Sequence, residues 1–428
     1  MRWLIIGWVF VISAVAYLDR VNVSITGGQI ASDFHIDRLR LGAVFSAFIL
    51  GYAIAQAPAG RLTDWIGPRW SIMGGVLWWG IFTTAITFVP ANTRHALLLL
   101  IVIRFLLGVG EAVVYPASNR LVAAWIPSSE RGLANGIIFA GVGFGAGITP
   151  PLITWLMQNH GWRSAFWASA CLGIVVGVFW YVIARDRPSQ HPWLRPAEAQ
   201  HIAAGLPANS REDAPPLAWA AILMNRAVWL MSFSYFAYGY AAYIFFTWFF
   251  IYLNQVRHLN LGQSALFTML PFIAMSIASP LGGVISDRLT SWNGKRTGRC
   301  GVAVGGMALT AVLIVLAMRV ANVKLASVLL AGGAGALYLS QSSFWSVSAD
   351  IGGAKSAGTV SGFMNMIGQF GGVATGLLTP LIGRDFGWNA SFLVAAGLCG
   401  AGALAWMAVE PEGSAKQRRE LLREPVQN

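Results

Sequence analysis

The sequence predicts an all-α membrane protein of twelve transmembrane helices, arranged as two related bundles of six. Three observations carry that prediction. Of its 428 residues 56% are apolar and only 11% charged, against about 25% charged in an average soluble protein. Apolar runs of about 20 residues, long enough to cross roughly 30 Å of hydrocarbon, recur along the whole chain. The second half also repeats landmarks of the first at an offset of about 225 residues, the kind of internal period that marks a duplicated architecture. A soluble enzyme, a disordered chain and a disulfide scaffold are excluded, because no water-soluble domain of this size hides so much apolar surface. The net charge of +12 raises the question of nucleic acid, but no basic cluster interleaves with aromatics. Cys171, Cys300 and Cys399 stand singly, so neither a disulfide framework nor a metal site is implied.

Runs interrupted by charge, Pro or Gly place the first six spans near 3–26, 40–62, 70–90, 96–120, 130–158 and 163–185. The second six fall near 226–253, 262–287, 299–318, 324–348, 356–383 and 388–409. The chain therefore divides into an N-terminal bundle, 1–185, a linker, 186–225, a C-terminal bundle, 226–409, and a charged tail, 410–428. The linker is the one long connector, rich in Pro, Ala and charge. An even number of spans puts both termini on one side. Of the 29 Lys and Arg, Arg20 and Arg104 lie inside spans, and only Arg38, Arg40, Arg94, Arg163, Arg257, Arg319, Lys324 and Arg384 fall opposite the termini. The other 19 share the side of the termini, which is therefore expected to be cytoplasmic, in the cell membrane. Ala14-Val15-Ala16 mimics a signal-peptide cleavage site, but cleavage would leave eleven spans and break the repeat.

The repeat is specific. Gly60-Arg61-Leu62-Thr63-Asp64 ends span two, and Gly283-Val284-Ile285-Ser286-Asp287-Arg288 ends span eight. Thr149-Pro150-Pro151-Leu152-Ile153 and Gly161-Trp162 in the first half answer to Thr379-Pro380-Leu381-Ile382 and Gly387-Trp388 in the second. Spans five and eleven are dense in glycine (Gly141, Gly143, Gly145, Gly147; Gly368, Gly371, Gly372, Gly376), as close helix packing in lipid requires. Duplicated six-span halves suit transporters that rock about a site at the membrane midplane.

Gly60-x-Leu62-x-Asp64-x-x-Gly67-x-Arg69 resembles the loop signature of the major facilitator superfamily, and Trp125-x-Pro127-x-x-Glu130-Arg131 is a second element similar to it. The resemblance covers almost the whole chain. It implies that Asp64 and Arg69, with Asp287, Arg288 and Arg131, brace the cytoplasmic ends of the bundles. Within the superfamily, Tyr17-Leu18-Asp19-Arg20-Val21-Asn22, the pair Arg104 and Glu111, and Thr247-Trp248-Phe249-Phe250-Ile251-Tyr252-Leu253 resemble the anion:cation symporters.

Independently of family, Asp19, Arg20, Arg104 and Glu111 sit where an ionised group costs about 2.5–3.5 kcal/mol if it faces lipid. They are expected to face a polar interior. Counting at 1.5 Å per residue places Asp19, Arg20 and Arg104 at one depth and Glu111 about 10 Å further inward. On this count Arg104 holds Asp19 ionised or switches to the substrate anion, Arg20 offers its planar fork to a substrate carboxylate, and Glu111, without a nearby cation, is a desolvated carboxylate suited to carrying a proton. The resemblance implies the same roles: Asp19 and Glu111 for proton coupling, Arg20 for the anion. It also implies a neutral part of the site at Tyr17, Tyr52, Ser342, Trp345 and Asn365, with Gln369 on the same helical face as Asn365. Tyr115, Asn119 and the aromatic run Tyr235 to Tyr252 read as packing and gate surface. One departure stands out: sugar-acid carriers of this kind place a Gln in span five, where this chain has only apolar residues and Gly between Asn135 and Thr149.

All six His residues read as loop residues, and no GxxxxGK[ST] loop is present. The expected function is proton-coupled import of a small organic anion, such as an aldonate, hexuronate or glucarate, by a monomer without metal or cofactor. Exchange or facilitated diffusion of an aromatic or other carboxylate is the alternative. A membrane enzyme or a sensor lacks, respectively, a catalytic cluster and an output domain.

Overall fold

A computed structural model of the chain describes residues 1–207 and 216–411. Part of the expected linker (208–215) and nearly all of the expected tail (412–428) lie outside the described residues.

The first half comprises α1 (Arg2–Asp33), α2 (Arg38–Ile66), α3 (Pro68–Ala85), α4 (Ala96–Glu111), α5 (Val114–Trp125), α6 (Arg131–His160) and α7 (Trp162–Ile183). Helices α4 and α5 make one crossing, broken at Ala112–Val113. The cause is Pro116, which cannot donate to the carbonyl of residue 112 and crowds it. Two short helices, α8 (Pro196–Gly205) and α9 (Trp219–Leu223), lie in the connector. The second half comprises α10 (Arg226–Tyr243), α11 (Phe249–Ile251), which extends it through wide π-turns, α12 (Leu261–Lys295), α13 (Gly301–Arg319), α14 (Val323–Phe386) and α15 (Trp388–Met407).

Ten helical stretches are long and apolar enough to span a bilayer, but Leu266–Arg319 and Val323–Phe386 run to 54 and 64 residues. At 1.5 Å per residue these would measure about 80 and 95 Å, far beyond one membrane thickness. Each doubles back at a glycine with positive φ, Gly294 (81°) and Gly353 (59°), a conformation that Cβ disfavours. Twelve crossings result among the described residues, as the sequence predicts. The helices outrun the predicted spans by a few residues, since polar helix ends reach water beyond the apolar core.

The face carrying the start of α1 and the end of α15 is here called the termini side. Toward it the halves touch backbone to backbone: Gly60 of α2 lies against Gly358 of α14, and Gly132 of α6 against Gly283 of α12. A side chain at Gly136 would reach the carbonyl of Ser279 at 2.6 Å. The glycines singled out in spans five and eleven mostly fulfil the packing expectation. Gly141 and Gly145 meet α1, Gly143 meets α12, and Gly368, Gly371 and Gly372 meet α10, whereas Gly147 and Gly376, nearer the far side, have open space.

Carboxylates complete the seam. Asp64 accepts backbone N–H bonds from Gly358 (3.1 Å) and Thr359 (2.6 Å), at the start of the second crossing of α14. Asp287 accepts from Gly132 (2.9 Å) and Leu133 (2.7 Å), at the start of α6. Each half thus places a carboxylate from one of its helices on a helix N-terminus of the other, where orphan N–H groups and the helix dipole favour negative charge.

Candidate functional site

Between the halves, at mid-depth, lies a cavity of about 40 Å3 walled by aromatic side chains. Tyr17, Tyr52 and Tyr115 come from the first half; Tyr235, Tyr238, Tyr243, Tyr338 and Trp345 come from the second. Its amides are Gln341, Asn365 and Gln369. They belong to a directed chain: the Tyr243 hydroxyl donates to Gln369 (2.8 Å), Gln369 to Asn365 (3.2 Å), and Asn365 to Gln56 of α2 (2.9 Å). Tyr52, Trp345, Asn365 and Gln369 thus line one cavity together with Tyr17.

Ser342 is not on the wall. It is fully buried with its hydroxyl unpartnered, and Gln341 provides the polar contact from this helix, donating to the Tyr235 hydroxyl at 3.0 Å. Trp345 donates to the same hydroxyl at 3.1 Å. Tyr235, read from sequence as packing, is thus a hub of the site, and Tyr115 likewise lines the cavity and bonds Ser13 at 2.9 Å. Asn119 instead ties the halves, donating to Ser348 at 2.8 Å.

The buried charges depart from the counting. Arg20 pairs with Glu111, Nη2 to Oε1 at 2.5 Å, so Glu111 does have a cation. The reason is side-chain direction. A helical side chain leans toward its own N-terminus, and α1 and α4 run antiparallel, so the two side chains lean toward each other and close the gap between their Cα levels. The Arg20 guanidinium lies over the rings of Tyr52 (4.3 Å), Tyr17 (4.6 Å) and Phe48 (5.1 Å), and its Nη1 donates to the Tyr17 hydroxyl at 3.4 Å. Tyr17 therefore attends Arg20.

Asp19 and Arg104 form no ion pair with each other among the described residues. Asp19 accepts from the Thr83 hydroxyl of α3 at 2.8 Å, leaving Oδ1 unpartnered. Arg104 lies over Phe48 at 4.6 Å, with Nε and Nη1 unpartnered. Three of the four ionisable groups, Asp19, Arg20 and Arg104, thus keep unused hydrogen-bonding capacity in a buried setting where such capacity is costly, and Arg20 reaches the cavity by lying over its wall tyrosines Tyr17 and Tyr52.

At the termini side, Asp64, Asp287 and Arg131 make the contacts between crossings that the motif implies, but two of its residues act differently. Arg69 joins α3 to α7 within the first half: its N–H donates to Asp186 (2.8 Å) and its Nε to the Tyr181 carbonyl (2.9 Å). Gly67 turns there with φ 91°, and a Cβ would collide with the Asp186 carboxylate. Arg288 is exposed; Arg299 is the cation on Asp287, at 2.7 Å. Arg131 pairs with Asp350 at 2.5 Å. Gln56, Thr83, Tyr235 and Arg299 escaped the sequence reading. Gln56 alone carried a signal, as the one amide in an apolar run from Tyr52 to Gly60.

The model of the Major Facilitator Superfamily matches residues 9–376. The chain belongs to the major facilitator superfamily. Its relatives in that superfamily include the "Probable sulfoacetate transporter" of Cupriavidus necator, 33% identical over 416 residues, covering 96% of this chain and 94% of the relative. The "Probable galactarate/D-glucarate transporter" of Escherichia coli is 31% identical over 414 residues, covering 91% and 88%. Among solved structures, that of a proton:xylose symporter bound to 6-bromo-6-deoxy-D-glucose shares the fold with a TM-score of 0.75 at 13% identity, covering 95% of this chain and 96% of the other. The major facilitator fold, two six-helix bundles about a central site, is therefore the fold of this chain, and the protein is a membrane transporter rather than an enzyme.

Proposed function

We propose that this protein carries a small organic anion across the cell membrane together with protons, by alternating access, as a single copy without cofactor, and with both termini in the cytoplasm. The observation that carries this reading is the Arg20–Glu111 pair beside the aromatic cavity. A substrate carboxylate that takes the Arg20 fork displaces Glu111. A buried carboxylate stripped of its cation costs several kcal/mol, so it takes a proton instead, and anion and proton are loaded together. Opening to the other side hydrates the site; Glu111 releases its proton, reclaims Arg20 and expels the cargo. Asp19, held by Thr83 with one oxygen unpartnered, is a second proton carrier, and Arg104 a second cation for a substrate with two acidic groups.

Hydroxyls and amides on the second-half wall support a polar anion, and Phe139 and Val142 on the α6 part of the wall offer it no hydrogen bond. A short, sparsely hydroxylated acid is favoured over a fully hydroxylated sugar acid, in keeping with relatives named for sulfoacetate as well as for glucarate. The decisive experiment measures alkalinisation outside proteoliposomes on adding sulfoacetate, glucarate or a hexuronate. Anion-dependent proton uptake is expected for at least one of them. Anion movement without proton uptake would instead establish exchange or facilitated diffusion.

A further inference from the structure

We propose that the cleft at the termini-side rim of the seam binds the phosphate of an anionic phospholipid. The cleft encloses about 430 Å3 and is lined by Arg61, Leu62, Asp64 and Trp65 of α2, Lys355 near the turn inside α14, and Pro216 ahead of α9. Its two cations come from opposite halves, and neither has an ion-pair partner among the described residues; Arg61 makes a long bond of 3.4 Å to the Leu217 carbonyl. The one carboxylate in the wall is already engaged: both Asp64 oxygens accept from Gly358 and Thr359, and Arg120 stands 3.8 Å away. The cleft is therefore positive and has anion-binding capacity to spare.

The outer rim is apolar. Trp65 in the cleft wall is 82% exposed and Leu62 46%. Tryptophans at the end of a membrane span mark the headgroup level, so this rim meets lipid. A ligand that satisfies both features carries an anionic group and hydrocarbon side by side, which is an anionic phospholipid. Because Arg61 and Lys355 lie across the seam from each other, a bound headgroup ties the halves together on this side. By linkage it then favours the conformation closed there.

The test uses the full-length protein in phosphatidylcholine nanodiscs with increasing phosphatidylglycerol, reading the lipid retained per protein and the melting temperature. Phosphatidylglycerol is expected to be retained over phosphatidylcholine and to raise the melting temperature. Each juxtamembrane cation adds about fivefold to the binding of an anionic lipid, so Arg61→Gln and Lys355→Gln should each weaken retention by that factor, and together by about twenty-fivefold. Trp65→Ala, at a site too exposed to matter for folding, should weaken lipid retention without changing stability in pure phosphatidylcholine. Equal retention by wild type and double variant would overturn the proposal, as would stabilisation by inorganic phosphate matching that by the lipid. Absence of any preference in the wild type would overturn it equally.

Discussion

Asn365 of α14 donates to Gln56 of α2 at 2.9 Å across the seam between the two halves, and both side chains are buried. One helical turn further toward the termini side, Gly362 meets the carbonyl of Gln56, and beyond it Gly60 meets Gly358 and Asp64 meets Thr359. This amide–amide hydrogen bond thus heads a stack of contacts that closes the seam on that side, and in the proposed cycle it would break for the site to open there.

Replacing Gln56 by Ala should therefore destabilise the sealed form by about 1–3 kcal/mol, the cost of orphaning a buried amide. Asn365→Ala should do the same, and the two changes should be non-additive by at least about 0.5 kcal/mol, because they remove one bond. A double-mutant cycle in thermal unfolding checks this. Strict additivity would show that the bond has no energetic weight.

Glu111→Gln keeps a hydrogen-bond acceptor for Arg20 but removes the charge and the titrating proton. Counterflow of labelled anion should persist, while accumulation driven by a pH gradient falls to the equilibrium level. Arg20→Ala should weaken anion binding by about 10- to 100-fold, the value of a charge-assisted hydrogen bond. Gradient-driven accumulation by Glu111→Gln protein would refute the assigned exchange of partners.

Asp64 and Asp287 each sit on a helix N-terminus of the opposite half. Asp64→Asn and Asp287→Asn should each cost about 1 kcal/mol through the lost charge–dipole interaction, and the double variant about twice that, since the two sites are far apart. The expected signs are a lower melting temperature and slower transport with unchanged substrate affinity. Melting temperatures matching the wild type in both single variants would argue that these carboxylates only fill space.

Glu198 of α8 fastens the connector to α1: it accepts from the Arg2 backbone N–H at 3.0 Å and pairs with the Arg2 guanidinium at 3.2 Å and the chain's ammonium at 2.7 Å. Partial burial pushes its carboxyl upward, but the ammonium and Arg2 together outweigh this and hold it below the usual carboxylate range. A carboxylate lowered in the folded state stabilises above its unfolded value, near about 4.3, and loses that contribution as pH falls through the folded one. Hydrogen exchange across 196–205 should thus be slow, after correction for intrinsic rates, above the ordinary glutamate range. It should rise below that range and stay raised at all pH in Glu198→Gln. Protection unaltered by that substitution would contradict the role.

The twelve crossings were legible because hydrocarbon imposes length and apolarity on every one of them, and Asp64 and Asp287 because a duplicated motif announces itself. Arg20 and Glu111 could be placed by depth, but their pairing could not. It depends on which way a long side chain leans, and on two helices running in opposite senses, neither of which a residue count contains. Ser342 and Gln341 are adjacent, so a small error in helical phase swaps wall for core. Tyr235 looks like any other aromatic in a greasy span until a second helix brings Gln341 and Trp345 to its hydroxyl. Arg299 is 12 residues from Asp287, and only the reversal at Gly294 brings them together.

The central chamber, at about 40 Å3, has room for roughly three water molecules and for no organic acid. On the proposed transport reading, its tyrosine walls part to admit cargo. In the proposed proton-coupled cycle, walls this tight leave ions no continuous thread of solvent, so the gradient would not be short-circuited through the site.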